Sequence, residues 1–181
     1  MSLPRTPAQT VGPFFDFALC ARPASELVAA DAAGAIRIEG ALLDGTGAPV
    51  PDGMVEIWQA DAAGRYDGAF GWGRCATDAD GRFAFTTVKP GGVREPDGSV
   101  QAPHISVLCF SRGLLKPVLT RLYFADEVEA NAADRVLRAI AGDAERATLL
   151  AQPAPGGNYR FDVRLQGDGE TVFFTTPASG L

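Results

Sequence analysis

Few residues of this chain could bind a transition metal. The nitrogen and phenol donors are one histidine and three tyrosines, namely His104, Tyr66, Tyr123 and Tyr159. A transition-metal site needs several such donors that converge on one point, yet the sequence has no HxH, HExxH or ExxH pair. Tyr123 and Tyr159 lie in strand-like segments, where aromatic side chains usually pack in a core. The residue types alone therefore predict no self-contained metal centre.

Other reactive side chains also lack the neighbours that catalysis requires. The cysteines Cys20, Cys75 and Cys109 show no CxxC spacing, and an odd number of them without a secretion signal is typical of free thiols in the cytoplasm. The segment 78–81 (DADG) is not a calcium loop, because Ala76 stands where a further aspartate is required. GxSxG, P-loop and GxGxxG motifs are missing from the sequence.

Length and charge predict one acidic globular domain over residues 1–181. A chain of 181 residues and 18.9 kDa can bury a core without a disulfide or a metal. The net charge of −6 and the lack of a Lys/Arg cluster exclude a typical nucleic-acid binder. No apolar run could span a bilayer, and the first ten residues lack an apolar core segment, so we expect a cytoplasmic protein.

The elements that must position these residues are mainly strands. Polar and apolar residues alternate strictly in 159–166 (YRFDVRLQ), which predicts a half-buried strand with 171–175 as its hairpin partner. Further strands are predicted at 36–43, 54–59, 82–88, 105–110 and 119–124. Short strands separated by turns predict a mainly β fold, a β-sandwich of mixed or antiparallel sheets.

Helices and irregular segments complete the prediction. The segment 131–142 has an apolar face, with Asn131 able to cap its start and Gly142 able to end it. Residues 143–150 could form a second helix, so one or two short helices are expected. Residues 1–35 are predicted to form an extended N-terminal arm, and 89–100 a long loop.

Several segments resemble the intradiol ring-cleavage dioxygenases. Residues 53–61 (GMVEIWQAD) and 64–66 (GRY) are similar to the signature of that family, and the resemblance extends from about residue 6 to residue 174. Its other segments are 6–14, 73–81, 88–91 and 159–162. The segments 102–105 (APHI), 110–113 (FSRG), 120–124 (TRLYF) and 169–174 (GETVFF) look like the α chain of the two-chain members of the family.

The resemblance implies a division of labour between two homologous chains. In the two-chain members, the β chain holds Fe(III) through two tyrosines and two histidines, and the chains assemble into higher hetero-oligomers. The substrates implied are protocatechuate and O2. We therefore expect a β-chain partner that holds the iron, and no metal or catalytic residue in this chain.

The positions that correspond to the iron ligands support this expectation. Val93 stands in place of a tyrosine ligand, and the histidine pair reads His104-Ile105-Ser106. The segment that would carry the other tyrosine is shortened between Tyr66 and Gly73, and Gln101 replaces an arginine. One imidazole cannot hold ferric iron against water, so the resemblance predicts an iron-free chain.

The resemblance also implies that this chain contributes to the substrate pocket. The N-terminal arm would reach the partner's active site through Thr10, Gly12, Pro13 and Phe14. A Gly-Pro step lets the backbone approach a planar ligand closely, although the alternative of an ordinary flexible terminus stays open.

An arginine is the other implied contact with the substrate. Arg112 would bind the substrate carboxylate through a charge-assisted pair, or else it is an ordinary surface residue at the end of a strand. Arg121 is a weaker candidate for the chain interface. Two alternatives to the subunit hypothesis remain: a free-standing β-sandwich binding module, and an intradiol enzyme that acts alone with unusual ligands.

Overall fold

The computed structural model describes residues 10, 12, 18–20, 24–66, 68 and 70–175. Within them the strands are β1 (Ala35–Leu43), β2 (Gly53–Gln59), β3 (Trp72–Ala76), β4 (Arg82–Val88), β5 (Val93–Arg94), β6 (Val100–Gln101), β7 (His104–Ser111), β8 (Val118–Phe124), β9 (Leu150–Ala154), β10 (Asn158–Arg160) and β11 (Val163–Arg164). The α-helices are α1 (Val128–Ala133), α2 (Arg135–Ala139) and α3 (Asp143–Ala147), and a 3-10 turn spans Pro155–Gly157.

Nine of these strands form one continuous sheet that folds over itself. Strand β1 pairs with β4 on one side and with β10 and β11 on the other, and the path continues through β9, β8, β7 and β2 to β3. The β8–β7–β2–β3 part is antiparallel, whereas β1 pairs in parallel with β10 and β11. This confirms the predicted mainly β, sandwich-like fold with mixed pairing.

The core lies between the two halves of the folded sheet. Alternate residues point inward because side chains along a strand face opposite sides. From one half come Ile38 and Phe85, and from the other come Val55, Ile105 and Leu122, each at most 2% exposed. The outward residues of β2, β7 and β8 are consequently available to build a site on the opposite face.

The helical region differs from the prediction. The helix expected over residues 131–142 is interrupted at Asp134, which has extended backbone angles. The carboxylate of Asp134 accepts hydrogen bonds from the backbone N–H groups of Val136 and Leu137 and so starts a new helix, α2. Gly142 precedes α3 instead of ending a long helix. Three short α-helices therefore stand in these residues, where one or two were expected.

The predicted strand 159–166 is also interrupted. It splits into β10 and β11 at Phe161 and Asp162. Phe161 N–H donates to Glu39 O of β1 at 2.8 Å, and the Asp162 side chain accepts a hydrogen bond from Ala41 N–H of β1 at 2.9 Å. Gly40 permits this contact, since a Cβ there would lie 1.8 Å from the Phe161 carbonyl oxygen. The expected hairpin with 171–175 is present only next to its turn, where Thr171 N–H donates to Arg164 O at 3.0 Å. Beyond that point Phe174 bridges to Leu119 of β8 instead.

The last part of the predicted N-terminal arm packs against the sheet. Ala24 bridges to Arg74 of β3, and Glu26 bridges to Thr86 of β4. Strand β1 then begins at Ala35, where the predicted arm ends. None of the helices in the described ranges has the length and apolar character that a bilayer crossing requires.

Candidate functional site

Three positions that correspond to iron ligands, and one that corresponds to an arginine, lie around the start of β7. Val93 and Gln101 are paired in the β5–β6 hairpin, and His104 starts β7 three residues later. Ser106 follows on the same face of β7. We call these residues (Val93, Gln101, His104 and Ser106) the metal-equivalent centre. Strand β8 lies beside it, because Ser106 pairs with Arg121 and His104 with Tyr123.

His104 is held as a neutral, buried imidazole. Its side chain is 3% exposed, and its Nδ1 lies 2.8 Å from the carbonyl oxygen of Ala102. A carbonyl can only accept, so Nδ1 carries the proton and donates it. Burial lowers the pKa of His104, and the positive charge of Arg121 lowers it further. The ring packs against Tyr123 with centroids 5.6 Å apart.

Tyr123 connects this centre to a buried carboxylate. Its hydroxyl lies 3.4 Å from Asp134 Oδ1, and burial raises the pKa of Tyr123 to about 12, so the phenol stays protonated at neutral pH. Asp134 is fully buried, and its Oδ2 accepts a hydrogen bond from Ala102 N–H at 2.9 Å. Together with the two bonds at the start of α2, these contacts tie α2 to the residues that precede β7.

A guanidinium group stands next to the metal-equivalent centre. Nη1 of Arg121 donates to Gln101 Oε1 at 2.9 Å and to the Tyr123 hydroxyl at 3.2 Å. Its charge also reaches Tyr66, where it opposes the effect of burial, which raises the pKa of that phenol. Arg121 therefore supplies a permanent positive charge beside the positions where iron ligands would stand.

These residues do not fit a ferric ion. Val93 offers no donor atom, Ser106 offers a neutral hydroxyl, and His104 offers one imidazole. The neighbouring guanidinium of Arg121 would repel a cation, and the protonated phenol of Tyr123 is engaged with it. Ferric iron is a hard cation that prefers anionic oxygen donors. In the described residues no cluster of three His, Cys, Asp or Glu side chains could hold a metal either.

Arg112 lies far from this centre. It follows β7 at the end opposite His104, and the eight residues of the strand separate the two by roughly 25 Å. Its Nε donates to Asp52 in an ion pair, and 67% of its side chain is exposed. Arg112 can therefore meet a ligand on another chain, but it cannot serve the metal-equivalent centre of its own chain.

The arm residues are only partly described. Thr10 is exposed, and Gly12 has a φ of 75°, in the region that favours glycine. Among the described residues, no hydrogen bond joins Thr10 or Gly12 to Arg112. Pro13 and Phe14 lie outside the described residues. The four arm positions and Arg112 remain predictions as pocket residues.

Sequence reasoning missed two contributors to this region. The predicted helix 131–142 contains Asp134, although an aspartate before an apolar helical segment is a capping signal. Arg121 is predicted only as an interface residue, and no observation tests that role. Its contacts with Gln101 and Tyr123 also place it at the metal-equivalent centre. Its position follows from the pairing register of β7 and β8, which the sequence does not display.

Comparisons with known proteins agree with this architecture. A family model described as Dioxygenase matches residues 24–167. The chain is 41% identical to the protocatechuate 3,4-dioxygenase alpha chain of Pseudomonas putida, over 95% of this chain and 96% of that protein. It is 38% identical to the protocatechuate 3,4-dioxygenase beta chain of Burkholderia cepacia, over 49% of this chain and 44% of that protein.

A solved structure shares the fold. The dioxygenase domain of a dioxygenase carbohydrate-binding protein fusion from Streptomyces sp. SirexAA-E aligns with a TM-score of 0.62 and 28% identity, over 90% of this chain and 98% of that one. The sequence matches confirm the resemblance from which the site residues were inferred. The chain belongs to the intradiol dioxygenase family, and protocatechuate 3,4-dioxygenase alpha chains are among its close homologues.

Proposed function

We propose that this chain is the iron-free α subunit of a protocatechuate 3,4-dioxygenase. A homologous β chain holds the Fe(III), and the complex cleaves protocatechuate with O2 between its hydroxylated carbons to give 3-carboxy-cis,cis-muconate. The observation that carries the proposal is the match to an α chain over nearly the whole length of both proteins. The weaker, partial match to a β chain supports a homologous partner.

The donor set supports the iron-free part of the proposal. A neutral imidazole, a hydroxyl and an aliphatic side chain stand at three ligand positions, with the Arg121 guanidinium beside them. The same donors argue against an enzyme that acts alone with unusual ligands. We assign the ferric ion to the partner, and to this chain the walls of the partner's pocket.

In this assignment Arg112 binds the substrate carboxylate. Among the described residues, its exposed side chain forms an ion pair with Asp52. A guanidinium can pair with a carboxylate through two parallel bonds. It also offers a local positive charge in a chain whose net charge of −6 would repel an anion. Thr10, Gly12, Pro13 and Phe14 of the arm form a further wall around the ring.

Metal analysis with and without the partner tests the subunit assignment. The chain is expressed alone, and also together with a β chain, and each preparation is assayed for iron, visible absorption and O2 uptake with protocatechuate. We expect the chain alone to be colourless, iron-poor and inactive, and the complex to be coloured and active. A coloured, oxygen-consuming preparation of this chain alone would contradict the proposal. Failure of the chain to form a complex with any β chain would also contradict it.

Steady-state kinetics of the complex test the role of Arg112. Arg112→Ala should raise the KM for protocatechuate roughly 10- to 150-fold, the equivalent of about 1.5–3 kcal/mol for a charged hydrogen bond. The rate with catechol, which has no carboxylate, should change little. Arg135→Ala is the matched control, because Arg135 is also exposed and pairs with one aspartate, Asp97. An unchanged KM for protocatechuate would remove Arg112 from the pocket.

A further inference from the structure

The three short helices bury very little of their own surface. Helix α2 buries Leu137, whereas α1 and α3 contain no buried residue. Helices of five or six residues are too short to be stable alone, and most helical stability in proteins comes from the packing of an apolar face. The helices therefore leave open space between them, and a bound molecule that filled it would add the packing that they lack.

Two adjoining cavities occupy this space. One has a volume of about 340 Å³ and the other of about 290 Å³, and they share Asn131, Ala132, Leu137 and Arg146 as lining residues. Ligand sites in proteins usually have volumes of about 300–1,000 Å³, so the space suits a small molecule. We call the two cavities together the helix crevice.

The smaller cavity is mainly apolar. Its lining adds Ala147 of α3 and Leu150 of β9 to the shared residues. Leu150 packs against the apolar cluster that contains Leu137. The amide of Asn131 offers no open polar group, because its Nδ2 donates to the Phe124 carbonyl at 2.7 Å and its Oδ1 is buried. This part of the helix crevice is suited to an aliphatic chain.

The larger cavity carries positive charge. Its wall contains Arg138 and Arg146, and none of its lining residues among those described is acidic. Arg146 donates to the carbonyl oxygens of Ile140 and Ala141. It also forms an ion pair with Asp143, which lines the smaller cavity. Arg138, in the last turn of α2, is exposed and forms no ion pair within the described ranges. Its guanidinium is therefore open to an anion, and a carboxylate matches its donors.

We infer that the helix crevice is a binding site for a small aliphatic carboxylate. The carboxylate pairs with Arg138 in the larger cavity, and the carbon chain lies in the smaller cavity against Leu137 and Leu150. Burial of the chain favours binding in proportion to the apolar area that leaves water, and the guanidinium selects an acid over an uncharged compound of the same length. The inference does not rest on the proposed function, since every lining residue belongs to this chain.

Hexanoate is the probe, and equilibrium dialysis of the full chain at constant ionic strength measures its binding. We expect one saturable site, and we expect 1-hexanol, which has the chain without the charge, to bind at least about tenfold more weakly. A ligand that binds only the folded chain stabilises it, so the thermal midpoint should rise with hexanoate concentration. A lack of saturable binding would overturn the inference, and so would equal binding of hexanoate and 1-hexanol.

Two substitutions test the two ends of the helix crevice. Arg138→Gln should weaken hexanoate binding roughly tenfold. Arg135→Gln is its control, because Arg135 is an exposed arginine of the same helix that lines neither cavity. Ala147→Phe should fill the smaller cavity and abolish binding, with Ala144→Phe, at an exposed residue of α3 outside both linings, as its control. Affinity equal to that of the original chain in either folded test variant would overturn the inference. If Ala147→Phe fails to fold, Arg138→Gln, at an exposed residue, still decides.

Discussion

The two ends of strand β7 are built in opposite ways. Where the strand begins, His104 is 3% exposed and its ring donates a hydrogen bond to the carbonyl of Ala102. The fully buried Asp134 accepts a hydrogen bond from the N–H of the same residue. Where the strand has ended, Arg112 exposes 67% of its side chain and meets one carboxylate, Asp52. A single eight-residue strand thus connects a buried polar network to an open surface charge.

The difference indicates what each end can contribute. Polar groups buried in a network are costly to disturb, because a lost partner leaves the other group without water. An exposed ion pair contributes little to stability but leaves its charge available to another molecule. Substitutions at the His104 end should therefore change unfolding, and substitutions at the Arg112 end should change binding.

The largest effect is expected at Asp134. Asp134→Ala would leave the N–H groups of Ala102, Val136 and Leu137 without their acceptor, and we expect it to lower the free energy of unfolding by about 3–5 kcal/mol. Urea unfolding followed by circular dichroism measures this. Asp143→Ala is the control, because that carboxylate is 95% exposed and should cost less than about 1 kcal/mol. Equal losses in the two variants would refute the comparison.

A smaller loss is expected from removing one hydroxyl at the same end. Tyr123→Phe deletes the group between Arg121 and Asp134 while keeping the ring against His104. Both partners retain other hydrogen bonds, so the loss should be about 1–2 kcal/mol in urea unfolding. Tyr66→Phe, at a half-exposed ring, should change stability by less than about 0.5 kcal/mol. A Tyr123→Phe variant as stable as the original chain would show that the hydroxyl bridge is unimportant.

The strands with clear periodicity could be predicted from sequence. The segment 82–88 matches β4 residue for residue. The segments 36–43, 54–59 and 119–124 each lack the first residue of β1, β2 and β8, and 105–110 lacks one residue at each end of β7. Strand β3 was missed because its sequence, WGRCA, lacks the alternation of apolar residues. Strand β9 was missed because its first residue continues the helical pattern of 143–150. Its partner, β8, is distant in the sequence, so no local pattern indicates the pairing.

The candidate site was predictable only as far as residue identity allows. Val93, His104 and Ser106 could be aligned with ligand positions one by one, and Gln101 with the position of an arginine. The fold pairs Val93 with Gln101 and places His104 and Ser106 on the next strand. The neighbouring guanidinium could not be predicted, because it depends on strand register. A shift of one residue between β7 and β8 would send Arg121 to the opposite face of the sheet.

The single histidine gives the buried end a pH signature. The pKa of His104 in the folded chain is lowered below its usual value of 6.5. As the pH falls, His104 therefore binds a proton in the unfolded chain before it does so in the folded chain. Stability should therefore fall as pH drops below about 6.5 and stop falling once the folded chain is also protonated. Carboxylates with lowered pKa values act near pH 4 and below, outside this window. Urea midpoints at about pH 7.5 and 5.5 measure the change, and His104→Asn should remove it.

The smallest effect on stability is expected at the open end. Asp52→Asn breaks the exposed ion pair with Arg112, and unfolding should change by no more than about 1 kcal/mol, because solvent screens such pairs. The freed guanidinium would then meet a substrate carboxylate without a competing aspartate. In the complex with a β chain, the KM for protocatechuate should fall, or stay the same, while Arg112→Ala raises it. A rise in KM on Asp52→Asn would mean that Asp52 holds Arg112 in its binding position, and the open end would then be as internally organised as the buried one.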